Sequence, residues 1–383
     1  MSDPNSQMNN LSEAPLAPQR SRRDEAWRLL KKNNLALAGF LIFVLFFVIA
    51  ISGVWLTSGT KPLIDPSLVR LPEKLRPPLS TPAAEVLRPA EIPVLGIYLF
   101  GTDELGRDVF ARMLQGAWVS LTVGFVAVGI SVLVGIFMGG LSGYYGERPV
   151  RVLHLLVSFF FIAGSGFLAA ENLPVGTILC FMAFALLALT RNRAFRQLPW
   201  LRFFFAGTFS VDTLIMRFVD VMLCFPSFFL ILTVVALLPP SIYNIMIVIG
   251  LTSWEGTARF VRAEFLSLRE QDFVTAARAL GVKDLRIIFR HMIPNAIAPV
   301  LVSATIGIAG AILTEAGLSF LGFGVPPPHA TWGNILSDGK RFIFDAPWLT
   351  FVPGFAILIV VLSFNLFGEG LRDILNPKLR ERY

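Results

Sequence analysis

The sequence predicts an all-α integral membrane protein of about eight spans, on three observations. Charged residues make up 15% of the 383-residue chain against 55% hydrophobic ones, whereas a soluble domain carries about 25% charge. The charges are segregated into short connecting windows instead of being scattered over a surface. The windows between them reach the ~20 apolar residues that a helix needs to cross a ~30 Å hydrocarbon core.

The elements follow in order. Residues 1–33 are polar, with proline, serine and asparagine, and are expected to be a disordered to amphipathic cytoplasmic N-terminus. The first span is "NLALAGFLIFVLFFVIAISGVWLTSG" (34–59). Arg22, Arg23, Arg28, Lys31 and Lys32 precede it, and basic flanks stay inside. The run starts late and is long, which reads as an uncleaved span and not a signal peptide. The proline-rich stretch 60–115 is then external.

The second span, 116–143, carries Gly135, Gly139, Gly140 and Gly143, small residues that let helices approach closely in a bilayer. Two apolar stretches, 150–170 and 173–190, are separated by a short acidic tip and flanked by arginines. They read as a hairpin that crosses out and back, with a re-entrant or interfacial hairpin as the alternative. Span 214–240 holds Arg217 and Asp220, three apart and able to pair on one helix face. Spans 241–261, 296–325 and 349–371 follow, with a tail at 372–383. Parity places both termini and the 262–295 connection in the cytoplasm. Lys340 and Arg341 fall outside, an exception to the charge rule.

Several function classes are disfavoured. The net charge of +7 comes from basic residues beside apolar runs, without the aromatic-interleaved patch of nucleic-acid binders. His154, His291 and His329 lie far apart without ligand spacing. Cys180 and Cys224 lie inside apolar runs and read as buried small hydrophobes. A phosphate-binding loop needs G-x-x-x-x-G-K-[ST]; the nearest stretch, "GNILSDGKR", has one residue too many.

Within 262–295 lies "DFVTAARALGVKDLRIIFRHMIPN" (272–295), compact and basic between two apolar runs. Phe273, Ala276, Ala277 and Leu280 recur at i, i+3, i+4 and i+7, one face of a helix. Gly281 permits the tight left-handed turn that ends it. Asp284 is placed to cap the next helix, and Pro294 to close it. An apolar ridge rimmed by Arg278, Lys283, Arg286 and Arg290 suits a groove on a soluble partner. It also suits an amphipathic helix lying on lipid headgroups, and the residues alone leave both open.

The same stretch resembles the EAA loop of ABC importer permeases, whose pattern is E-A-A, three residues, Gly, nine residues, I-x-L-P. Ala276, Ala277, Gly281 and Pro294 match; Thr275 stands for the glutamate, and His291 and Ile293 for the Ile and Leu. Further stretches, "LFGTDELGRDVFARMLQGAWVSL" (99–121), "MRFVDVMLCFPSFFL" (216–230), "ILTEAGLSFLGFGVPPP" (312–328) and "FNLFGEGLRDILNPK" (364–378), resemble in order the C-subunit family of oligopeptide and dipeptide importer permeases.

That resemblance implies the type I ABC importer transmembrane fold over 116–371, in a permease subunit that moves peptides or related small solutes across the bacterial cytoplasmic (inner) membrane. It implies no chemistry and no cofactor in this chain, with ATP and Mg on partner ATPase subunits. The implied partners are a second homologous permease, two ABC ATPases, an extracytoplasmic substrate-binding protein meeting 60–116 and 322–347, and membrane lipid; nucleic acid is not among them. Asp272, Phe273, Ala276, Ala277, Arg278, Leu280, Gly281 and Asp284 are then the ATPase-coupling residues.

Residues about 147–211 depart from the family as an inserted apolar hairpin, read as lipid-facing packing or as a docking site for a regulator. Glu255 and Glu315 are intramembrane acids and hence candidates for the translocation path, with a structural role for Glu315 equally open. An ion-coupled secondary transporter is the rival class. It would show inverted repeats and broken helices around a midplane site, and the sequence has no convincing internal repeat.

Overall fold

The computed structural model describes residues 22–59, 62–83, 85, 87–150, 160–163, 165, 173–191 and 209–375. In chain order the helices are α1 Arg22–Lys32, α2 Asn34–Thr57, α3 Val109–Tyr145, α4 Leu173–Arg191, α5 Val211–Cys224, α6 Ser227–Leu237, α7 Ile242–Leu251, α8 Glu255–Arg269, α9 Asp272–Ala279, α10 Asp284–Phe320, α11 Trp332–Gly339 and α12 Trp348–Leu375. Two short strands, β1 Pro149–Val150 and β2 Phe209–Ser210, pair antiparallel. Among the described residues α2, α3, α10 and α12 are long and apolar enough to cross a membrane, and α5 with α6 meets the same criterion only as a bent pair, so four to five spans stand where the sequence predicts about eight. Of the two tails expected in the cytoplasm, residues 1–21 and 376–383 lie outside the described residues, as does most of the first half of the inserted hairpin.

α3 is the scaffold. Its 37 residues extend about 55 Å at 1.5 Å per residue and pack against α2, α7, α8 and α10. The side chain of Asp108 accepts from the Phe110 N–H at 2.9 Å and so starts the helix. One face is a row of glycines that admits α8. A Cβ at Gly135 would stand 2.6 Å from the Thr257 Cβ, and one at Gly143 2.5 Å from the Phe265 Cβ. Gly139, between them, lies against the carbonyl of Ala258. The Gly139→Val protein is therefore expected to lose about 1–3 kcal/mol by overpacking, read as a lower Tm in detergent. Gly129→Val, whose Cβ meets nothing within 4 Å, is the matched control.

The span expected at 214–240 is not one rod. α5 and α6 meet at 84°, because Pro226 disfavours helical geometry at Phe225 and starts the next helix itself. The span expected at 241–261 is likewise two pieces. α7 is ten residues long, and α8 begins inside the predicted span and runs on as an amphipathic helix burying Thr257, Ala258, Val261 and Phe265. Cys224, expected to be buried, is exposed at the end of α5, and Cys180 is half-buried. The i,i+3 pair is present, with Arg217 3.5 Å from Asp220, and Arg259 of α8 joins it at 2.6 Å.

The insertion leaves the core and returns at one place. Val150 pairs with Phe209 and Pro149 with Ser210, so its two ends are cross-strand neighbours. Arg262 of α8 grips Asp212, which Ser142 also donates to. The second half of the hairpin is helical, as α4.

α1 is helical within the polar N-terminal stretch. It packs Leu30 against Ala36 and Ile374, so the start of α2 and the end of α12 share one end of the bundle.

Candidate functional site

α9 stands at that same end of the bundle, as a knob between α8 and α10. Its inner face is Val274 and Ala277, 0% and 8% exposed, seated on Tyr144, Val261, Phe265, Ile287 and Met292. Its outer face presents Phe273, Ala276 and Leu280, with Leu280 83% exposed. Three of the four predicted ridge residues therefore point outward. Ala277 is the correction: it belongs to the base of the knob. Val274, which the sequence reading passed over, is its partner there, three residues before it. Asp272 and Arg278 are exposed beside the ridge.

The turn after α9 depends on Gly281, whose φ is +73°, a region open to glycine at little cost. The N–H groups of Leu280, Gly281 and Val282 donate to the carbonyls of Ala276, Arg278 and Ala277 at 3.0, 2.9 and 3.1 Å. The last turn of α9 is thereby closed by the backbone itself.

Two local expectations fail here. Asp284 does not cap α10: it is the first helical residue, and no side chain caps that end. Its carboxylate instead accepts from the Tyr144 hydroxyl and from Arg148, both at 2.8 Å. Pro294 does not end a helix either. The segment Ile288–Met292 is a π-turn, with the Ile293 N–H donating to the Ile288 carbonyl. The wider turn accommodates a ring that lacks an N–H and would clash in a regular helix, so α10 continues to Phe320.

The two intramembrane acids separate. Glu315 is completely buried. It accepts from Ser319 at 2.7 Å and from Ser120 at 3.4 Å, and Ser120 in turn accepts the Trp332 N–H at 3.3 Å. This carboxyl joins α10 to α3 and α11. Glu255 begins α8 half-buried, and its Oε2 has no hydrogen-bond partner among the described residues.

Gly256 and Thr257, the next two residues, line a cavity of about 260 Å³ with Ser131, Ser253, Ser303, Gly307, Gly310 and Thr314. The sequence reading missed this cavity. Its signal is small and hydroxyl-bearing residues on α3, α8 and α10, which individually read as helix-packing positions.

At the opposite end, residues 62–108 and 331–349 form one assembly. Asp103, 0% exposed, accepts from the Leu105 and Arg107 N–H groups at 2.9 Å and from the side chains of Arg107 and Arg112 at 2.7 Å. Arg112 also pairs with Asp338 at 2.9 Å, and Trp348 Nε1 donates to the Thr102 carbonyl at 3.2 Å. The two segments that the sequence placed on one side of the membrane are thus brought together. A cavity of about 560 Å³ opens beside them between Arg107, Asp338 and Pro326–Pro328.

Residues 204–381 match the family described as binding-protein-dependent transport system inner membrane component. Residues 21–78 match the N-terminal TM domain of oligopeptide transport permease C. The dipeptide transport system permease protein of Alkalihalophilus pseudofirmus is 36% identical, over 93% of this chain and 90% of its own. That of Haemophilus influenzae is 32% identical over 97% and 100%. The oligopeptide transport system permease protein of Bacillus subtilis is 30% identical over 93% and 90%.

Proposed function

This chain belongs to the oligopeptide and dipeptide permease branch of the binding-protein-dependent inner membrane components, and on that premise we propose that it is one permease subunit of an ATP-driven peptide importer. α9 is its coupling helix. The observation that carries this reading is the knob: an apolar ridge of Phe273, Ala276 and Leu280 stands exposed on a buried base, away from the end that holds the 62–108 assembly. The ridge seats in a cleft of a partner ATPase, and closure of the ATPase pair moves the membrane helices as bodies.

A binding protein delivers peptide at the opposite end. The second permease completes the path past the hydroxyl-lined cavity, with Glu255, beside the cavity-lining Gly256, as the carboxylate that meets a peptide ammonium. The end that carries the knob, α1 and the close of α12 is cytoplasmic. An ion-coupled secondary transporter is not favoured: among the described residues α5 and α6 form one broken helix pair, without an inverted counterpart.

Leu280→Asp tests the reading. Leu280 touches solvent rather than core, so membrane expression is expected to stay at the parent level. Loss of a central apolar anchor costs about 2 kcal/mol, roughly 30-fold in affinity. The ATPase subunits should therefore be lost from the purified complex and peptide uptake should fall to background. Retention of both at parent levels would overturn the proposal.

A further inference from the structure

The Gly281 turn is held from both sides by one residue of another helix. Tyr144, in the last turn of α3 and 6% exposed, donates its hydroxyl to Asp284 Oδ1 on the α10 side of the turn. Its ring carries the Arg278 guanidinium, 5.0 Å from the centroid, on the α9 side. Arg148, just beyond α3, donates to the other carboxylate oxygen, Oδ2, and stacks 4.3 Å over the Tyr145 ring. The knob cannot shift relative to α3 without breaking these contacts, and a shared acceptor with two donors fixes direction as well as distance.

The far end of α3 is built into the outer assembly. Arg112 is locked to Asp103 and Asp338, and Gly116 abuts Trp332 and Thr331. Between the ends α3 has no proline, and it is packed on several helices. One rod thus joins the outer face to the coupling knob.

We propose that Tyr144, Arg148 and Asp284 are positioning residues that clamp the knob to α3, so that the state of the outer face reaches the ATPase through that helix. The inference rests on the coupling reading above. Such transmission needs a packed element that both sites bias, and the clamp is the joint at which α3 and the knob become one body. The Arg148 to Asp284 pair is solvent-exposed, 64% and 37%, so by itself it contributes little. Tyr144 carries most of the hold.

The test uses the full transporter, with both ATPases and the binding protein, in liposomes. Tyr144→Phe, which removes the hydroxyl that Asp284 accepts from, is expected to assemble and keep the basal rate of ATP hydrolysis, while stimulation by peptide-loaded binding protein falls about tenfold, within the usual size of coupling between sites. A merely structural role would lower basal and stimulated rates together, and that outcome overturns the proposal. Unchanged stimulation in Tyr144→Phe also overturns it. Leu280→Asp, run in parallel, separates the two readings. If it releases the ATPases while Tyr144→Phe keeps full stimulation, only the clamp falls; if it keeps the ATPases and uptake, the coupling reading falls and the clamp with it.

Discussion

Gly281→Pro is expected to abolish peptide uptake while the protein still reaches the membrane at parent level. Two things are lost at once. Gly281 has φ +73°, and proline is held near −65°. Its N–H donates to the Arg278 carbonyl at 2.9 Å, and proline has no N–H to give. The chain must open the turn, which swings Leu280 off the ridge and moves Asp284 away from Tyr144. Gly281→Ala separates the causes. A Cβ there meets nothing within 4 Å, and the N–H is kept, so only backbone strain of about 1–2 kcal/mol remains. That strain shifts the population of the competent knob by roughly tenfold, and uptake should fall partially. The order parent, Ala, Pro in uptake rate, with equal amounts of protein in the membrane fraction, is the expected result. Normal uptake by Gly281→Pro would show that the turn does not transmit anything.

The limits of the sequence reading lie in the same element. Periodicity placed α9 almost to its ends and Gly281 at its stop, because both signals are local. It could not say which face is inward. Phe273, Ala276 and Leu280 form one apolar row and Val274 and Ala277 another, within eight residues. The choice between them is made by Phe265 and Met292, which belong to neighbouring helices. Asp284 shows the same limit. A local rule makes it a cap, but Tyr144, 140 positions earlier, takes the carboxylate instead. The bend in 214–240 was different in kind: Phe225 followed by Pro226 is a readable break signal, hidden only by the uniform apolarity around it. The end opposite the knob was the least legible part. Residues 60–115 have balanced charge and no period, and their order comes from pairings such as Arg112 with Asp338, which no local pattern encodes.

The largest effect on stability is expected at that end, opposite the knob. Asp103→Ala removes a fully buried carboxylate that four donors share. Arg112, 5% exposed, is then left with Asp338 as its carboxylate partner and Asn334 at 3.4 Å. Breaking a buried charge pair costs about 3–5 kcal/mol, since the surviving charge stays out of water. The loss should appear as a lower Tm in detergent and as faster proteolysis within 62–108. Asp103→Asn keeps the shape and one acceptor oxygen but removes the charge, and should fall between. The knob lies at the far end of α3, so ATPase binding in detergent should survive Asp103→Ala, whereas transport driven by the binding protein should not. If Asp103→Ala melts like the parent and transports normally, the buried cluster is not what holds the 62–108 assembly to α3, and α3 has no fixed point from which to act on the knob.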